Sequence, residues 1–309
     1  MSSDVETMSR TFIAVTEIWI PEGGKLVLEN GNYGPLKGFE ETSRQTSFAI
    51  GEGLPGKAWA EEKPIVLKQL DGSYFMRGEA AKDAGLTSAV AIPVFSGDEL
   101  RAVLVVLCAD DEERMGAIEV WVESNGMMML DDGYYGAAKD FEWVSQHTHF
   151  PVGQGLPGGV WTSKTPMLMR DLGSGYRFIR ADSAGKAGLT TGLGLPVPTP
   201  GESEIVLTLL SARGTPISRR FEIWDSRYAK VGSETAAVLI DGICERDGAL
   251  WSDESPRKVQ KWQGVIGRVL GTSLPVLESS GVETAGFGSI VALPIYQGGE
   301  LSHVVAWYC

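Results

Sequence analysis

The chain has 309 residues, 43% of them hydrophobic and 22% charged, with a formal net charge of −13 at pH 7. This length exceeds one ordinary core and fits two or three small domains of globular composition. The acidic balance argues against nucleic acid and membrane surfaces as general partners, no apolar run approaches the roughly 18–20 residues needed to span a bilayer, and no signal peptide is visible at the N-terminus.

In chain order, Thr11 to Ile20 is rich in β-branched and aromatic residues and reads as a strand. Pro21-Glu22-Gly23-Gly24 turns the chain into a short strand, Lys25 to Glu29, which ends at Asn30-Gly31-Asn32. A polar stretch leads to another strand, Thr46 to Ile50. Gly51-Glu52-Gly53-Leu54-Pro55-Gly56 then redirects the backbone, with Pro55 where the first turn of a helix tolerates it. Lys57 to Glu62 continues as a short helix with Trp59 inward, and Pro64 stops it. Phe75 to Ala84 reads as a helix with Phe75, Ala80, Ala81 and Ala84 on its apolar stripe and Arg77, Glu79, Lys82 and Asp83 opposite. Gly85 is a good residue just past that helix. Ser88 to Phe95 and Leu100 to Cys108 flank Ser96-Gly97-Asp98-Glu99 as a β-hairpin. One face of such a sheet is expected to be covered by the helices and the other solvated.

The pattern repeats. Glu17-Ile18-Trp19 recurs as Glu119-Val120-Trp121 and Glu222-Ile223-Trp224, with the tryptophans 102 and 103 residues apart. The glycine-rich turn recurs as Gly153-Gln154-Gly155-Leu156-Pro157-Gly158 and decays to Gly264-Val265-Ile266-Gly267. Trp59 matches Trp161, Ala84-Gly85-Leu86 matches Ala187-Gly188-Leu189, and Pro93 matches Pro196 and Pro294. The expected divisions are 1–111, 112–214 and 215–309. The third copy is degenerate: Pro275 to Gly286 spans 11 positions against 21 from Pro64 to Gly85, so a helix is lost there. Cys108 lines up with Ser211 and Cys309, which points to small residues at strand ends. With Cys244 the three cysteines form neither a disulfide framework nor a zinc site, and a reducing cytoplasm is the natural setting.

The ordered set Gly-x-Gly-Leu-Pro-Gly-x-x-Trp, Pro, Phe-x-Arg, Ala-Gly-Leu and a final hairpin resembles the GAF domain family, most closely GAF domains of bacterial signalling proteins. The resemblance implies an α+β, PAS-like fold: three tandem units, each a central antiparallel sheet covered by short helices around a small-molecule pocket. It implies a sensing role without naming a ligand or cofactor.

Several residues stand out. Arg77 and Arg180, in Phe75-Met76-Arg77 and Phe178-Ile179-Arg180, have the fork geometry to hold a carboxylate or phosphate near a pocket lid. The alternative is a solvated helix-face arginine paired with Glu79 or Asp182. Tyr74 and Tyr176 precede them, at positions that often line the pocket in GAF proteins; simple packing is the alternative. With Trp59 and Trp161 these make the candidate ligand-binding set. The glycine-rich turn lacks the Gly-Lys-Ser/Thr of a phosphate-binding loop and reads as structural. His147-Thr148-His149 would place two imidazoles on one face of a strand, but no third metal ligand is evident. Copies one and two carry no cysteine near the pocket helix for a covalent tetrapyrrole.

The expected function is a non-catalytic cytoplasmic sensor or regulator. It would bind a small molecule in copies one and two and signal through a protein partner that carries the output domain, with a homodimer left open. Two other readings remain: an interaction scaffold with filled pockets, and an enzyme of the kind that reduces free methionine sulfoxide.

Overall fold

Strands β1 (Val15–Glu22) and β2 (Lys25–Asn32) meet across Gly23-Gly24. Both glycines have positive φ, the conformation that a two-residue hairpin turn needs to follow the strands' right-handed twist. The computed structural model describes residues 11–109, 113–174, 178–201, 203–227, 230–231, 234–251, 255–279 and 286–309. After β2 come α1 (Lys37–Arg44), β3 (Ser47–Ala49), α2 (Gly53–Glu61), β4 (Ile65–Leu67), α3 (Gly78–Asp83), β5 (Leu86–Ser96) and β6 (Glu99–Ala109). The strands form one sheet in the order β3-β2-β1-β6-β5-β4, and every neighbouring pair is antiparallel.

The second module repeats this with β7 (Met115–Ser124), β8 (Met127–Gly136), α4 (Lys139–Gln146), β9 (Phe150–Pro151), α5 (Gly155–Ser163), β10 (Met167–Arg170), α6 (Ala181–Lys186), β11 (Leu189–Val197) and β12 (Ile205–Ala212). Its sheet order is the same, β9-β8-β7-β12-β11-β10. The third module has β13 (Arg220–Asp225), β14 (Lys230–Val231), β15 (Glu234–Cys244), β16 (Gly248–Ala249), β17 (Lys258–Gln260), α7 (Gly264–Thr272), β18 (Val276–Glu278), β19 (Ile290–Gln297) and β20 (Glu300–Tyr308). Short strands β16 and β17, both paired with β15, follow β15 where a helix follows β2 and β8. Among the described residues no helix lies between β18 and β19.

Three local expectations are corrected. The polar stretch after β2 contains a helix, α1, repeated as α4. These helices bury only Phe39 and Ser43, or Phe141 and Ser145, so each carries a single buried apolar side chain in a polar stretch. Arg77 lies ahead of α3 and not on its solvent face; it is the residue that caps the helix and it points inward. His147 ends α4, and His147 and His149 are exposed in the turn that follows, so no strand sets them on one face.

The larger correction concerns the sheets, which are covered on both faces. The helices cover one face of each, over separate apolar clusters. The other faces meet in one shared core. Ile92 and Leu104 come from the first sheet, Leu193 and Leu207 from the second, Leu293 and Val305 from the third. Alternation along the strands sets this: Ile18, Val120 and Ile223 face the shared core, while Trp19, Trp121 and Trp224 face the helices. The near-continuous apolar runs of β5 and β6 are what burial on both faces requires.

The three sheets are linked head to tail around this core. From β4 and its flanks, Lys63 pairs with Asp131 (3.2 Å) and Lys68 with Asp132 (2.8 Å) on β8. On β10, Arg170 pairs with Asp241 on β15 and donates to the Gly242 carbonyl (3.1 Å). On β2, the Asn30 amide donates to the Leu277 carbonyl on β18 (2.9 Å). Asn30, Asp132 and Asp241 are equivalent positions, each accepting the next residue's amide hydrogen at 2.8 Å. Exposed ion pairs of this kind contribute little each, so the shared core dominates the association.

A core built from all three sheets predicts one cooperative thermal transition, with equal calorimetric and van't Hoff enthalpies. Leu293→Ala is expected to cost about 2–5 kcal/mol and to shift that whole transition. Scanning calorimetry checks both, and separable transitions for the modules would contradict them.

Candidate functional site

The glutamate of each Glu-x-Trp strand is fully buried at the centre of its sheet, on the helix-facing side. Glu17 accepts from the Trp19 indole (3.0 Å) and the Tyr33 hydroxyl (3.0 Å). Arg77 grips it with both terminal nitrogens, Nη1 at 2.5 Å and Nη2 at 2.9 Å, and Nη1 also donates to the Ser43 hydroxyl. The second module repeats every contact. Glu119 accepts from Trp121 (3.1 Å), Tyr135 (3.1 Å) and both nitrogens of Arg180, which also reaches Ser145, and Thr208 adds a further donor at 2.8 Å. In the third module Glu222 accepts from Trp224 and Tyr308 (3.0 Å each), and Arg220 and Arg257 replace the missing lid arginine.

The backbone is shaped for this. A bulge falls between the glutamate's neighbour and the tryptophan in all three modules, at Ile18/Trp19, Val120/Trp121 and Ile223/Trp224. Gly31 and Gly133 lie under the tyrosine rings; a Cβ at Gly31 would stand 2.4 Å from the Tyr33 ring. Only glycine lets the ring lie flat there and its hydroxyl reach the carboxylate.

The guanidinium carbon of Arg77 lies 4.8–5.7 Å from the ring centres of Trp19, Phe39, Phe48 and Phe75. That of Arg180 lies 4.6–5.5 Å from Trp121, Phe141, Phe150 and Phe178. Both cations are therefore caged by aromatic faces. Burial alone would push the Glu119 carboxyl up, but the Arg180 charge and the hydrogen bonds from Arg180, Thr208 and Ser145 outweigh it and hold the group below the usual glutamate range. Burial and the adjacent carboxylate raise Tyr33 and Tyr135, which stay protonated donors.

This arrangement corrects the expected roles of Arg77 and Arg180. They are neither solvated nor free for a ligand, because each is held by a glutamate about sixty residues earlier in the chain. Phe75 and Phe178 are buried walls of the cage. Trp59 and Trp161 are half-buried against the same clusters. Tyr74 is 40% exposed with the Lys57 ammonium over its ring, and Tyr176 lies outside the described residues. Glu17 and Glu119, conspicuous in the sequence only as repeat landmarks, are the site residues that its motifs do not single out. A charged residue between apolar ones on a central strand was the available signal.

Open space lies further out. In the second module a groove of about 490 Å³ runs between α4 and α6 over Arg180. Trp143, Val144 and Ile179 give it apolar walls, and Asp140, Asp182 and Lys186 give it charge. Trp143 is 61% exposed and stacks on His147, and Ile179 is 55% exposed. The positions in the first module equivalent to Trp143 and Val144 are Glu41 and Thr42, so of the three apolar wall residues the first module keeps only the counterpart of Ile179, Met76. Among the described residues no three His, Cys, Asp or Glu side chains are grouped to hold a metal ion.

Residues 6–122 match the sequence pattern of the GAF domain. Among solved structures, the A. aeolicus nlh2 GAF domain, described as in an inactive state, is 24% identical with a TM-score of 0.27, over 33% of this chain and 61% of that one. The reduced form of fRMsr of Staphylococcus aureus is 23% identical with a TM-score of 0.25, over 31% and 56%. The GAF domain of an Acinetobacter phosphoenolpyruvate-protein phosphotransferase is 20% identical with a TM-score of 0.24, over 31% and 54%. The chain thus spans less than two thirds of the length of each of these structures. None of the curated proteins matches the chain.

Glu119→Gln would leave the Arg180 charge buried and unpaired, and is expected to cost about 3–5 kcal/mol in urea unfolding. The double change Glu119→Leu/Arg180→Met removes both charges and is expected to cost much less. Because the folded pKa of Glu119 is depressed, its contribution is complete above the unfolded value and lost as pH falls through the folded one. Urea titrations below pH 5 are therefore expected to show a shallower loss of stability in the double variant than in the wild type.

Proposed function

Because residues 6–122 of the chain belong to the GAF domain family, we propose that the protein is a ligand-binding regulatory protein with no reaction of its own. Its ligand site is the outer groove of the second module. The observation that carries this reading is the groove over Arg180, with Trp143 and Ile179 exposed beside it. Exposed aromatic and aliphatic side chains beside a concave surface bind apolar or planar groups at little ordering cost. Asp140 and Asp182 supply negative charge and Lys186 positive charge, which suits a small amphipathic molecule carrying both signs.

Binding there bears on α4 and α6, which deliver Ser145 and Arg180 to the buried carboxylate. That gives a ligand leverage on the module's core. The signal passes to a protein partner. Ile50 and Val152 are exposed at equivalent positions in modules one and two, as are Met76 and Ile179, and offer that partner apolar contacts.

Thiol chemistry of the methionine sulfoxide reductase kind finds little support. Burial pushes the Cys108 thiol up to about 12 and that of Cys309 up to about 11, where the reactive thiolate is scarce at neutral pH. The scaffold reading has one specific observation in its favour: the interior of modules one and two is occupied by their own ion pair and aromatic rings.

Native mass spectrometry of the gently purified chain separates the readings. An excess non-covalent mass, lost in Trp143→Ala, together with slower hydrogen exchange in α4 and α6, is the expected result. A clean apo mass, with no exchange change when a metabolite extract is added, would favour the scaffold.

A further inference from the structure

The seams between modules are not filled alike. Against the second module, Phe12 from the segment ahead of β1 fills the space beside Gly116 and Gly136 and rests on Tyr134, with ring centres 5.4 Å apart. The equivalent space against the third module lies beside Arg219 and Glu245. The residue equivalent to Phe12 there is Arg114, whose guanidinium reaches the Thr11 carbonyl instead (2.9 Å). A cleft of about 510 Å³ remains, between the second and third modules.

Three arginines line the cleft: Arg170, Arg213 and Arg219. Arg170 is committed to Asp241. Arg213 and Arg219 have no carboxylate within ion-pair distance among the described residues, in a chain whose net charge is −13. The cleft also holds two carboxylates, Asp171 and Glu245, and Thr191 lines it from β11. Burial raises the Glu245 carboxyl above the usual glutamate range, and the charges of Arg219 and Arg213 both act on it in the opposite sense, so the two guanidinium groups share one neighbourhood. Two planar five-donor forks converging on a cleft fit oxyanions, which they bind in bidentate fashion.

We propose that this cleft binds a compact oxyanion with two or more negative charges, held by Arg213 and Arg219 across the seam. The site is separate from the α4–α6 groove and does not depend on a ligand there. Its occupant would bridge residues of the second and third modules.

Isothermal titration of the full chain with sodium pyrophosphate and with sodium citrate, at matched ionic strength, tests this. Saturable binding of one anion per chain is expected, weakened about tenfold or more in Arg213→Ala/Arg219→Ala. Arg219→Lys keeps the charge without the fork and should weaken binding by a smaller factor. Lys25→Ala, at the exposed start of β2 in the first module, should leave binding unchanged. Preference for pyrophosphate assigns the site to phosphorylated ligands, and preference for citrate to polycarboxylates. Both arginines are on the surface or half-buried, so the variants should melt with the wild type. Absence of saturable binding of both anions at millimolar concentration, or unchanged binding in a double variant that melts normally, would overturn the proposal.

Discussion

A carboxylate buried at the centre of a β-sheet must find a cation and hydrogen-bond donors, and three such carboxylates organise this chain. Isolated burial of that charge would be prohibitive. In modules one and two the required cation comes from Arg77 or Arg180, which forks onto both oxygens, and the further donors are an indole and a phenol, joined in module two by the Thr208 hydroxyl. Much of each module follows from this need. The bulge re-aims the tryptophan, the glycine makes room for the tyrosine, and the first helix brings a serine to share the arginine. In the third module the helix that would deliver the arginine is absent among the described residues, and Arg220 and Arg257 meet the need from other elements.

The second constraint is that each sheet has no free face. Helices take one side and the shared core takes the other. A GAF-like unit usually keeps internal room for a ligand between sheet and helices. Here that room is filled in modules one and two by the ion pair and its aromatic cage. The open space lies further out, in a groove on the helical layer and in a cleft at a seam, and these are the two sites proposed above. Both sites sit where the repeats differ. Trp143 and Val144 replace Glu41 and Thr42, and Arg219 and Glu245 replace Gly116 and Gly136.

Much of the fold was legible in the sequence. β-branched runs marked strands, glycine pairs marked hairpins, and the order of short motifs located the GAF domain. The helices α1 and α4 were not legible, because a two-turn helix that buries one phenylalanine and one serine offers too few apolar positions to mark it out from a polar loop. The candidate site was read in part. Phe75, Arg77, Phe178 and Arg180 do converge, but as a closed structural cluster and not as an open pocket.

Sequence by itself determined what depends on a residue and its near neighbours: the alternation that sends Ile18 one way and Trp19 the other, the turns, and the threefold recurrence of Glu-x-Trp. Tertiary structure alone decided which charges meet, which faces are covered and where space is left. Arg77 and Glu17 are sixty residues apart, and nothing local to either announces the other. Periodicity reports a side chain's direction relative to its own strand or helix. Whether that direction leads to water, to a partner or to another module's core depends on how distant elements pack.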